Sequence, residues 1–177
     1  MVLLLIGLMA TVAVTLDFAG SAASQQQQAT LLAQQFKLAT LEAVQSGNMW
    51  GLDFFRVSVE PGQVQTGYRW LFHDGARWRP ADPHWLDAKT SETLLPSALQ
   101  LRLSVDGSAF EPELQQPLVN ASGAANLRFA PEVLLLPTRE FTAFSASVCQ
   151  SDSQQCGVGV NVDALGRIVM QADNETR

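Results

Sequence analysis

The first sixteen residues, MVLLLIGLMATVAVTL, carry no charge, and the first ionisable side chain is Asp17. Water is a poor solvent for such a run, so it must meet lipid or other apolar helices. A bilayer core needs about 20 helical residues, whereas a signal-peptide apolar region needs only about 7 to 15. The run falls between the two. A cleaved signal peptide should begin with a basic segment, yet VLLLIGLM comes directly after Met1. SAASQ imitates a small-residue cleavage site, which keeps that alternative open.

The next segment favours a continuous helix. AASQQQQATLLAQQFKLATLEAVQS, residues 22–46, contains no Gly or Pro and sets Leu32, Phe36, Ala39 and Ala43 at steps of three or four. That spacing predicts one buried stripe of an amphipathic helix. Leu31, Leu38 and Leu41 are expected to widen the stripe, with Gln34, Gln35, Lys37 and Glu42 mainly off it. Gly47 supplies the stop. Asp17, Gly20 and Ser21 are too weak to break the helix between its apolar and amphipathic halves, and the amphipathic half needs a sheet to lie on.

Beyond Gly47 the apolar period shortens. WGLDFFRVSVE ends at the Pro61-Gly62 turn pair, and YRWLF and RWRP flank His73-Asp74-Gly75, a tight-turn signal. LQLRLSVDG alternates Leu99, Leu101, Leu103 and Val105 against polar neighbours, as in a strand with one buried face. PEVLLLP, EFTAFSASVC, CGVGVNVD and GRIVMQ complete a set of about seven or eight strands. The stretch between Asp106 and Arg128 reads as a long surface loop. The expected fold class is α+β: a long N-terminal helix packed on an antiparallel sheet or two-sheet sandwich.

Charge and chemistry narrow the function. A formal net charge of -6 offers no field for phosphate backbones, so nucleic acid is not an expected partner. Cys149 and Cys156, with His73 and His84, do not build a zinc site. In an oxidising compartment the two cysteines would close a small loop, contributing roughly 2 kcal/mol; a pair of unbonded thiols is the alternative. His73 and His84 sit in turn-like segments, and Asp82, Asp87 and Glu92 spread over a polar stretch that suits a solvated face better than an acid/base pair. Trp50, Trp70, Trp78 and Trp85 suit core and cross-strand packing better than a binding platform. GVGVNVDALG lacks the strand-turn-helix context of a phosphate loop. Neither catalysis, nor a cofactor, nor a metal, nor a small-molecule substrate is expected.

The order of these features resembles the type IV pilin-like proteins, and within them the minor pseudopilin H type of type II secretion. LLLIGLMATVAV is similar to their apolar helix, in which a Gly such as Gly7 is usual. ATLLAQQFKLATLEAVQSGNMWGLDF is similar to the continuation of H-type and FimT-type chains. GYRWLFHDGARWRP resembles the family hairpin ending in W-x-P. PEVLLLPTREFTAF resembles P-x-L-x-L-P-[ST]-x-E-x-T-P-F, matched at Pro131, Leu134, Leu136, Pro137, Thr138, Glu140, Thr142 and Phe144, with Ala143 where Pro is common.

The resemblance implies a structural component rather than an enzyme. Residues 1–16 would be the transmembrane and assembly half-helix, carried by Leu3, Leu4, Leu5, Ile6, Leu8, Val12, Val14 and Leu16; residues 17–46 its amphipathic continuation; and residues 47–177 a periplasmic head. It also implies a single-pass protein of the bacterial inner membrane, with the I-, J- and K-type pseudopilins of the tip and the G-type major pseudopilin of the shaft as partners. The family's basic leader, its cleavage site and the Glu at the fifth mature position do not occur in this sequence, which implies an N-terminal truncation relative to the family. A FimT-like minor pilin in DNA uptake would call for a basic tail, whereas GRIVMQADNETR sets its two Arg against Asp173 and Glu175. A secreted ligand-binding β-domain is the other alternative.

Overall fold

The computed structural model describes residues 2–81, 92–115 and 129–172, with helix side chains described from Ala22 onward. One helix, α1 (Val2–Ser46), precedes β1 (Trp50–Glu60), β2 (Gln63–His73), β3 (Trp78–Pro80), β4 (Glu92–Leu94), β5 (Leu99–Val105), β6 (Ser108–Phe110), β7 (Val133–Leu135), β8 (Phe144–Gln150), β9 (Cys156–Val162) and β10 (Ile168–Ala172). The α+β expectation holds. Ten strands among the described residues exceed the expected seven or eight, because β4 and β6 are three-residue segments without a period of their own. The stretch read as one long loop is corrected on this point: β6 returns antiparallel on β5, and Leu114 bridges Arg56. Residues 116–128 of that stretch lie outside the described residues.

The helix ends where Gly47 adopts φ 69° and donates its N–H to the Ala43 carbonyl at 3.1 Å. An L side chain is disfavoured there, so Gly47 turns the chain at no steric cost. The first sheet runs β3-β2-β1-β7 with β4 also on β2, and the second runs β10-β9-β8-β5-β6; every strand pair is antiparallel.

One core joins the helix to both sheets. Ala29, Leu32, Phe36, Ala39 and Ala43 meet Leu52, Phe54 and Trp70 of the first sheet and Leu103, Phe144, Ala146 and Val160 of the second. Phe36 is the hub, its ring 5.4 Å from Phe144, 5.9 Å from Phe141 and 6.3 Å from Trp70, within the range of favourable tilted aromatic pairs. The stripe is narrower than expected. Leu38 and Leu41 are exposed at 38% and 56%, whereas Ala29 and Ala33 are buried, because the small side chains let the sheets approach the helix on that flank.

Candidate assembly surface

The helix is seated by polar anchors as well as by its apolar stripe. Gln35, expected off the stripe, is buried and accepts a hydrogen bond from the Trp70 indole N–H at 3.3 Å. Gln25, one turn before Ala29, is also buried and donates its amide to the Gln155 carbonyl at 3.0 Å. A Cβ at Gly157 would run into the Gln25 side chain, so this glycine makes room for the helix. Gln25 to Ala43 thus form a seat about 27 Å long at 1.5 Å per residue, with directional bonds near its start and middle that fix rotation and register.

The first sheet is buried on its second face too, around a charge cluster. Asp53 pairs with Arg69 across β1 and β2, and Arg69 pairs with Glu92 across β2 and β4, so alternation puts the three in one row. Arg69 donates Nε to Asp53 at 2.5 Å, Nη1 to Glu92 at 3.0 Å and Nη2 to Gln115. Its guanidinium lies 4.7 Å from the Phe55 ring centroid and 4.8 Å from that of Phe129, so charge, hydrogen-bond fork and π-faces are all used at once. Glu92 is therefore not on a solvated face: register carries it beneath the covering segments to Arg69.

Glu132 completes this cluster. β7 occupies the outer edge of β1 at Trp50–Leu52, residues 113–115 occupy it at Arg56, and in the gap the Glu132 carboxyl accepts the Phe54 N–H at 3.0 Å. Burial first, and then the nearby Asp53 charge, push the Glu132 carboxyl up to about 7. Burial also raises Asp53, outweighing Arg69. The Asp53 charge and the burial together disfavour a second ionised carboxyl here, which favours a proton on Glu132. Arg69, Gln115 and the Phe54 N–H engage the cluster from within, which makes it a brace that holds the covering segments on the sheet.

Cys149 and Cys156 face each other in the β8–β9 ladder with Cα atoms 3.9 Å apart and are joined as a disulfide. His73 stacks edge-on against Trp78 at 5.2 Å and accepts the Gly75 N–H at 3.2 Å, a turn-fixing role. Trp50 and Trp70 are core residues. His84, Asp82, Trp85 and Asp87 lie outside the described residues, as do the side chains of Leu3, Leu4, Leu5, Ile6, Leu8, Val12, Val14 and Leu16. Among the described residues, no group of His, Cys, Asp and Glu could hold a metal ion, and no helix is long and apolar enough to cross a membrane. Arg69 and Glu132 escape sequence reasoning, since an isolated Arg in YRWLF and a Glu after Pro131 give no sign of their partners.

No family model and no curated protein matches the sequence. Solved structures do. Two structures of the minor pseudopilin EpsH from the type II secretion system of Vibrio cholerae match with TM-scores of 0.62 and 0.63 at 18% and 19% identity. They cover 87% and 89% of this chain and 99% of the EpsH chain. The solution structure of Escherichia coli GspH matches with a TM-score of 0.60 at 15% identity, covering 89% of this chain and 94% of that one. The chain has the fold of these minor pseudopilins.

Proposed function

We propose that this chain is a structural minor pseudopilin of a type II secretion system, one that assembles with other pilin-like proteins and catalyses no reaction. The observation that carries the proposal is a single helix that continues, over 45 residues, from the uncharged run at the N-terminus into a seat fixed on a two-sheet head with the pseudopilin fold. Residues 1–16 serve as the membrane and assembly half, residues 17–46 as the continuation that carries the head, and residues 47–177 as the head. The chain waits in the inner membrane as a single-pass protein with its head in the periplasm. The disulfide supports an oxidising compartment of this kind.

Assembly then moves the apolar half-helix from lipid into a bundle of similar helices. Because both surroundings are apolar, the hydrophobic term changes little, and packing between helices together with head contacts decides which chains stay. A firmly seated helix is what this mechanism needs, since a pull on the helix must move the head. In this scheme the chain links tip pseudopilins of the I, J and K types to a shaft of the G type, and folded proteins leave across the outer membrane.

A photo-crosslinking residue at Leu5, introduced into the chain in its own bacterium, tests the proposal. Crosslinks to other pilin-like proteins that disappear when the secretion motor is inactivated are the expected result. Crosslinks to lipid alone, with the motor active, would overturn it.

A further inference from the structure

The helix gives the head a direction. Gln25 donates to the Gln155 carbonyl just before β9 begins, and about 24 Å further along the helix, at 1.5 Å per residue, Leu41 lies beside Leu165, just after β9 ends. Helix and β9 therefore run in the same sense, and the head has an entry end, where the helix arrives, and a far end. At the far end lies a groove of about 370 Å³, lined by Leu41, Val44, Arg139, Phe141, Leu165 and Gly166. With the helix N-terminus held on the membrane side, this groove faces away from the membrane.

The groove is rigid but incompletely satisfied. Gly166 takes φ 73°, and a Cβ there would collide with the Phe141 ring, so the β9–β10 turn lies directly on that ring. The Asp163 carboxylate stiffens the turn by accepting the N–H groups of Leu165 and Arg167 at 2.9 Å each. Yet Leu165 is 71% exposed at the tip of this turn, where polar residues are the norm, and Leu41 is exposed on the helix. On the rim, the Arg139 guanidinium has no hydrogen-bond or ion-pair partner among the described residues. The neighbouring carboxylates are engaged elsewhere: Glu140 accepts the Thr138 hydroxyl at 3.2 Å, and Asp163 pairs with Arg167 at 2.6 Å. An apolar floor with an unpaired cation on its rim fits an aliphatic segment bearing a carboxylate, and a shape set in advance lowers the entropy cost of receiving it.

The polarity of assembly selects the occupant. Chains enter the filament from the membrane, so whatever lies beyond the far end of this head entered earlier and sits on the tip side. For a minor subunit that neighbour is a different protein. We propose that the groove seats the adjacent tip-type pseudopilin, which places aliphatic side chains on Leu41, Phe141 and Leu165 and a carboxylate on Arg139. The inference rests on the pseudopilin reading and deepens it by assigning the tip-side contact to one end of the head. The groove is small for a free-standing interface, and the bundled helices supply the effective concentration. The opposite end carries an internal control: Trp50 pairs with Leu135 near the groove, and β1 runs back about 33 Å at 3.3 Å per residue to its hairpin with β2, where Val64 is exposed.

The test places a photo-crosslinking residue at Leu165 of the full chain in its own bacterium and identifies the captured peptide by mass spectrometry. The position is exposed, so the change leaves the core intact. A peptide of a tip-type pseudopilin, carrying aliphatic residues and an Asp or Glu, is expected. The same probe at Val64 should not capture that protein. Arg139→Glu should lower the Leu165 yield about ten-fold, and Arg139→Lys should keep it within about three-fold. Changing the captured carboxylate to Lys should restore the yield in the Arg139→Glu chain. Capture of a shaft-type or an unrelated protein, equal capture of the tip-type protein from Leu165 and Val64, or indifference to Arg139→Glu would each overturn the proposal. The Leu5 crosslinks separate the two ideas: if they form and Leu165 captures no pilin-like protein, only the groove assignment falls, whereas lipid alone at Leu5 removes both.

Discussion

Arg69 and Asp53 face each other across the β1–β2 ladder and meet at 2.5 Å, with side chains 1% and 3% exposed. The pair is shielded by Phe55, Phe129 and the segments around Gln115 and Glu132. Removing the cation alone leaves Asp53 and Glu92 buried together. Arg69→Met should therefore cost about 3–5 kcal/mol. Asp53→Asn, which leaves Arg69 its bond to Glu92, should cost about 1–3 kcal/mol. Urea denaturation of the detergent-solubilised chain gives both values, and the reverse order would contradict the brace assigned to Arg69.

Glu132 gives stability a pH dependence of defined sign. Its carboxyl is raised from 4.5 to about 7, so the folded chain binds more protons than the unfolded chain between those values. Stability should fall as pH rises through that window and level off above it. Asp53, also raised, acts in the same direction. Asp74 acts oppositely and in another window: hydrogen bonds from the Arg77 and Ala76 N–H groups lower it to about 2, so its contribution is lost only as pH falls from about 4 toward 2. Glu132→Gln keeps an acceptor for the Phe54 N–H and removes the titrating carboxyl. Melting curves at pH 5 and pH 8 should show a smaller difference for this variant than for the wild type, and the variant should be the more stable at pH 8.

Phe36 joins the helix to both sheets. Phe36→Ala should cost about 3–5 kcal/mol, as for other large buried aromatics, whereas Leu41→Ala on the exposed flank should fall within about 0.5 kcal/mol. Equal losses in thermal denaturation would mean that the helix is held elsewhere.

The Cys149–Cys156 disulfide closes a short loop between β8 and β9. Replacing both cysteines by serine should lower stability by about 2 kcal/mol, measured by urea denaturation under oxidising conditions, without loss of the fold.

Local signals carried much of the architecture. Gly47 as helix stop, Pro61-Gly62 as a turn and the alternation from Leu99 to Val105 depend on nearest neighbours, which is why they were legible. Gln35 and Glu92 were not, because each is buried by one distant partner, Trp70 or Arg69, and polarity alone predicts exposure. Leu38 and Leu41 failed in the other direction: apolar spacing marks a stripe, but Ala29 and Ala33 decide which side of it the sheets can approach.

Assembly into a secretion filament can be checked by deleting the gene in its own bacterium and comparing proteins in the culture medium with those in the periplasm. Folded exoproteins should accumulate in the periplasm, the wild-type chain should restore their release, and a chain with Leu8→Lys in the apolar half-helix should not. Unchanged release after deletion would contradict such assembly.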